Sequence, residues 1–160
     1  MLKFSKKVEY ALISLLHMAE QHSDQLTTSR ELAAHFNIPP ELIGKVLQSL
    51  ARHDCIHSVQ GVRGGYQLAK TPDQINLANI IQAVEGPIRV VNCISSSEQC
   101  SCDQMDFCNI RNPMEMLQFK LIEAFNNISL KDIQANSFTV DILPDSYKKN
   151  VNVSLNITNN

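Results

Sequence analysis

Four cysteines, Cys93, Cys100, Cys102 and Cys108, fall within sixteen residues of this 160-residue chain, while a fifth, Cys55, stands alone. Thiolates are soft ligands, and several at short separation in one loop can wrap a single soft metal centre. Zinc favours hooks with two residues between cysteines, and no such pair exists here. Cys100 and Cys102 enclose a single residue, which suits a metal site only if one of the two is an obligate ligand. A redox disulfide is the other chemistry open to this cluster. Cys55 follows a helical segment beside Ile56, among core positions, and is expected to be a buried, inert thiol.

Other chemistry-bearing residues are weaker. His17 and His22 flank the first apolar stretch, and His53 and His57 lie near a basic segment; solvated or phosphate-contacting rings are expected there. Gly61, Gly64 and Gly65 do not make a nucleotide-phosphate loop, because the Gly-Lys-Ser/Thr ending and the strand-to-helix setting are missing. They fit a sharp β-turn that displays Arg63 at its tip, where an arginine can enter a narrow minor groove. Asp103 and Asp106 solvate the cysteine loop rather than form an acid–base pair, so no enzyme is expected.

Val8, Ala11, Leu12, Leu15, Leu16 and Ala19 recur at helical spacing behind a Ser5 cap, predicting a helix from about Lys6 to Gln21. Thr28 and Glu31 form a capping-box pattern that opens a short helix burying Leu32, Ala33 and Phe36. After the turn Asn37–Pro40, a helix to about His53 buries Ile43, Val46, Leu47 and Leu50. Its other face shows Glu41, Gly44, Lys45, Gln48 and Arg52. Strands at Cys55–Val59 and Tyr66–Ala69 flank the glycine turn, and a helix follows at Leu77–Val84. Two short helices joined by a tight turn, then a hairpin, make a winged helix-turn-helix: mainly α with a small β-hairpin. Asn112-Pro113 starts a long helix with Met114, Leu117, Leu121, Phe125 and Ile128 along one stripe, which needs a partner subunit to cover it. The chain thus divides into a winged helix-turn-helix over 1–86, a cysteine-rich loop over 87–111, a dimerisation helix over 112–134 and a tail over 135–160.

Hydrophobic residues at 44% and charged residues at 19% fit an ordinary globular domain. The net charge of −2 gives nucleic-acid binding no bulk support. Within 40–70, however, Lys45, Arg52, Arg63 and Lys70 face only Glu41 and Asp54, so a DNA surface would be a local patch. No stretch is apolar enough to span a membrane, and Glu9 interrupts the faint signal-like start, so the cytoplasm is expected. That setting keeps thiols reduced and favours metal or redox chemistry over a disulfide framework.

Ser5–Leu12, Gly44–Leu47 with Leu50, Gly64–Ala69 and the run Ile80–Ile88 followed by Cys93 together resemble the iron–sulfur-responsive winged-helix repressors typified by IscR and NsrR. The likeness covers about Met1–Ile133. It implies a homodimer paired through the long helix, each subunit setting one recognition helix into a palindromic double-stranded operator. It also implies a cluster, 2Fe–2S or 4Fe–4S, held by three cysteines, the last two enclosing five residues as Cys102 and Cys108 do. Cys93, Cys102 and Cys108 are then the ligands, with Cys100 a bystander or replacement. IscR-like members place a histidine where this chain has Arg111, which cannot ligate. NsrR-like members use a first-helix carboxylate of the other subunit, and Glu9 holds that place. Glu41, Lys45, Gln48 and Arg52 would meet DNA from the recognition helix and Arg63 from the wing. Gln60 stands where many members carry a wing arginine. The ending Ile128–Ile133 is similar to that of the regulators of iron–sulfur assembly operons. A thiol–disulfide or zinc switch on the same fold, and a cluster-carrying protein that does not bind DNA, are the competing functions.

Overall fold

The computed structural model describes residues 3–21, 25–61, 64–91, 93 and 102–135. The first helix, α1 (Lys6–Glu20), begins where the Ser5 hydroxyl accepts from the Val8 N–H. It buries Val8, Ala11, Ser14, Leu15 and Met18, while Leu12, Leu16 and Ala19 are half-buried. Ser14 is tolerated inside because its hydroxyl donates to the Tyr10 carbonyl at 2.7 Å. His17, expected to flank this helix, lies within its last turn, 3.4 Å from the Glu31 carboxylate.

Helices α2 (Ser29–His35) and α3 (Pro40–Arg52) form the helix-turn-helix. The expected Thr28–Glu31 capping box is present in both directions. Both helices end alike. Asn37 and Asp54 take left-handed φ of 52° and 53°, which these two residue types tolerate. The following N–H groups, of Ile38 and Cys55, then reach back to Ala33 and Leu50 carbonyls at 3.0 Å. Each stop therefore turns the chain sharply and sends an apolar residue, Ile38 or Cys55, into the core.

Strands β1 (Ile56–Val59) and β2 (Gly65–Leu68) pair antiparallel with Ile56 opposite Leu68 and Val59 opposite Gly65. The hairpin has a third member that the sequence did not announce. Thr27 exchanges both backbone hydrogen bonds with Tyr66, at 2.8 and 2.9 Å. Two wing glycines are needed for close approach. A Cβ at Gly65 would stand 2.9 Å from the Thr27 carbonyl oxygen, and one at Gly64 only 2.5 Å from that of Val59.

After a 3-10 turn (Pro72–Gln74), α4 (Leu77–Glu85) packs on α1 and α3, burying Leu77, Ala78, Ile80, Ile81, Ala83 and Val84. One core cluster joins α1, α3, β1 and α4. A second 3-10 turn (Met105–Phe107) precedes α5 (Arg111–Asn126). This helix begins one residue before Asn112, with no side-chain cap at Ile110. Pro113 sits in its first turn, where a missing N–H costs no intrahelical bond.

The single helix expected over 112–134 is two. It stops at Asn126, and Ser129 caps α6 (Leu130–Gln134) with Asp132 as the reciprocal partner. Leu130 N–H donates to the Ile75 carbonyl at 2.7 Å and Leu77 N–H to that of Ile128 at 2.8 Å. These bonds and the fully buried Leu130 fasten the end of α5 back onto the head. Ile128 continues the apolar spacing of α5 but belongs to this fastening. Among the described residues no helix is long and apolar enough to cross a membrane.

Candidate DNA interface and cysteine site

Helix α3 separates its faces cleanly. Ile43, Val46, Leu47 and Leu50 are buried, and Glu41, Lys45, Gln48 and Arg52 are exposed on the opposite side. All four candidate DNA residues of this helix therefore stand on one accessible surface. The helix is anchored to α4 where the Ser49 hydroxyl donates to the Ala83 carbonyl at 2.8 Å, and its end is closed where His53 Nδ1 lies 2.9 Å from the Ser49 carbonyl. A cleft of about 260 Å³ runs along α3, lined by the polar side chains of Lys7, Lys45, Gln48, Ser49 and Arg52 and by the apolar ones of Leu42, Val46 and Val84.

Lys7 is the residue that sequence reasoning missed. In the sequence it is one of a basic pair ahead of an apolar helix, and nothing local ties it to α3. In the fold, the start of α1 meets the end of α4. The Ser5 hydroxyl donates to Glu85 at 2.5 Å, and the Lys7 ammonium stands 3.9 Å from the same carboxylate. Lys7 thereby lines the same cleft as Lys45 and Arg52. Three cations around one cleft suit an anion such as a backbone phosphate. Arg63, expected at the wing tip, lies outside the described residues; of its neighbours, the Gly64 N–H donates to the Gly61 carbonyl at 3.0 Å.

Cys93, Cys102 and Cys108 are free thiols, each half-buried. Cys108 ends the second 3-10 turn, three residues ahead of α5, and Cys102 lies 3.5 Å from the Gln104 carboxamide oxygen. Cys100 lies outside the described residues. The donor chemistry fits an iron–sulfur cluster, since three unpaired thiols occur in one short segment. Among the described residues, however, no three of His, Cys, Asp and Glu come together as a metal-holding group. Glu9 is not brought to the cysteines within this chain; it pairs with Lys6 one turn away, which pushes the Lys6 ammonium up through hydrogen bonding and charge. Cys55 behaves as expected. It is 3% exposed, and burial pushes its thiol up, with Asp54 adding to the shift and Lys70 opposing it.

Helix α5 buries none of its residues. Met116 is 61% exposed and Phe119 64%, with Leu117 beside them and Phe107 and Ile110 exposed just ahead of the helix. Gln118 accepts from the Val90 N–H at 3.1 Å, and α5 packs along α4, with Phe125 at its far end half-buried against the core and its ring 6.1 Å from that of Phe4.

The model of the Rrf2 family, iron-dependent transcriptional regulators, matches residues 4–136. A helix-turn-helix-type transcriptional regulator of Aquifex aeolicus is 32% identical over 130 residues, 81% of this chain and 90% of that protein. The regulator NsrR of Halalkalibacterium halodurans is 25% identical over 135 residues, 84% of this chain and 92% of that one. Among solved structures, CymR, the global cysteine regulator of B. subtilis, superposes with a TM-score of 0.66 at 23% identity, covering 86% of this chain and all of that one. These relatives are regulators of transcription and not enzymes. The chain belongs to the Rrf2 family of winged helix-turn-helix transcriptional regulators.

Proposed function

We propose that this regulator is a homodimeric repressor that senses an iron–sulfur cluster and controls genes of iron–sulfur assembly, iron supply or the response to redox stress and nitric oxide. The observation that carries this is the cysteine segment itself: four cysteines within sixteen residues, those described being free thiols, set between the DNA-binding head and the exposed helix α5. Cys93, Cys102 and Cys108 would hold the cluster, and Glu9 of the other subunit or Cys100 would complete the set. When bound, such a group supplies iron and sulfide that react with oxidants and nitric oxide (2Fe–2S or 4Fe–4S). Glu41, Lys45, Gln48 and Arg52 would meet a palindromic duplex from α3 and Arg63 from the wing, with Lys7 on the phosphates. A two-fold pair would set its α3 helices one helical turn of DNA apart, about 34 Å.

A thiol–disulfide or zinc switch is the second reading. Its disulfide form is favoured by the lack, among the described residues, of any assembled three-donor group, because a disulfide needs only two thiols; its zinc form, which needs four donors, is not. Iron and acid-labile sulfide per subunit, with a visible spectrum of anaerobically purified protein, decide between them. Brown protein with matching iron and sulfide supports the cluster. Colourless protein that stays free of sulfide after anaerobic reconstitution overturns it and moves the switch forward.

A further inference from the structure

Gly44 sits in the middle of α3, and the fold gives no reason for a glycine there. Its φ is not left-handed, and a Cβ built on it meets nothing within 4 Å beyond its chain neighbours and the backbone of its own helix. Glycine is the poorest helix former after proline, so an alanine would strengthen the helix at no steric cost inside the protein. Gly64 and Gly65 differ, because there a Cβ would strike backbone oxygens. Gly44 is also on the outward side of α3. It follows Glu41 by three residues and precedes Gln48 by four, so the three share one stripe.

We infer that Gly44 is a clearance position: its missing side chain lets the backbone of α3 seat against the edge of a major groove, and it sets which bases can lie there. This rests on reading α3 as the helix that enters DNA. An α-helix fills most of a major groove, so one methyl group at the contact line moves the whole helix outward and lengthens every neighbouring hydrogen bond. Glu41 and Gln48, one turn to either side, are the base-reading groups that such a shift would pull away.

The probe is a duplex that the full-length wild-type protein enriches from a random-sequence library. Gly44→Ala is expected to melt about 2–4 °C higher than wild type, yet to bind this duplex about tenfold or more weakly. Gly44→Leu should lose still more affinity, and both variants should keep the wild-type affinity for an unselected duplex. Wild-type affinity for the selected duplex in both variants overturns the inference while leaving DNA binding intact. A lower melting temperature in Gly44→Ala also overturns it, since the glycine would then serve the fold. A wild-type protein that enriches no duplex overturns the DNA reading of α3 and this inference with it.

Discussion

Cys55 and the three described loop cysteines carry the same thiol in different environments. Burial disfavours the Cys55 thiolate, and the thiolate is the reactive form, so this residue should resist alkylation at neutral pH. Iodoacetamide followed by mass spectrometry of metal-free protein should label Cys93, Cys102 and Cys108 first, and Cys55 only on unfolding. Early labelling of Cys55 would contradict its burial. Cys102→Ala is expected to lose bound iron and sulfide, whereas Cys55→Ala keeps both and costs about 1 kcal/mol of stability. A wild-type visible spectrum in Cys102→Ala would remove this residue from the ligand set. On the DNA side, Lys7→Ala should weaken binding uniformly across sequences and reduce the salt slope by about one unit, as loss of one phosphate contact does. An unchanged slope would confine Lys7 to its pairing with Glu85.

Elements of this fold were legible wherever their signals are local. The Thr28 capping box, the Pro40 start of α3 and the apolar face of α3 all act within a turn or two, and the structure shows each. Removing the α2 cap with Thr28→Ala should cost about 1 kcal/mol, read from a denaturant midpoint at unchanged slope. Non-local features were hidden. Thr27 joins the wing through one pair of backbone bonds to a residue far along the chain, which leaves no period to read. Lys7 reaches the α3 cleft only because α1 and α4 pack together. The break between α5 and α6 is a different case: Ser129 and Asp132 spell a cap in the sequence, but Ile128 keeps the helical spacing alive across it. That cap carries a pH signature. Hydrogen bonds from the Ser129 hydroxyl and then its backbone N–H hold the Asp132 carboxyl below its ordinary 3.8. A lowered carboxyl contributes stability that is present above the unfolded value and is lost as pH falls through the folded one. The cap is therefore complete at neutral pH and decays below pH 3.8. In Ser129→Ala, Asp132 should titrate nearer its ordinary value by NMR, and the amides of α6 should exchange faster at neutral pH. An unmoved titration would mean that the serine does not hold the carboxylate.

At the scale of the whole molecule, the head and α5 obey different rules. The head has one closed core, and among the described residues no buried side-chain nitrogen or oxygen lacks a partner. Helix α5 touches that core only on one side, through Phe125 and its packing on α4, and offers Met116, Leu117 and Phe119 to solvent. An apolar surface rimmed by polar groups and attached to a finished domain is what a subunit interface requires. A second copy is the natural occupant under the proposed function, because a palindrome needs two heads in fixed relation. Burying Phe119 in such an interface would contribute about 2 kcal/mol per subunit from apolar area alone. Placing a carboxylate there would both remove this and strand a charge. Phe119→Asp combined with Met116→Asp should therefore yield a monomer by light scattering, while the head keeps its melting transition because both side chains are exposed and α5 touches the core through Phe125 instead. Operator affinity should fall by about a hundredfold or more as the two half-sites become separate binding events. A double variant that stays dimeric would place the interface elsewhere. One that is monomeric yet binds the palindrome undiminished would show that each head reads its half-site alone.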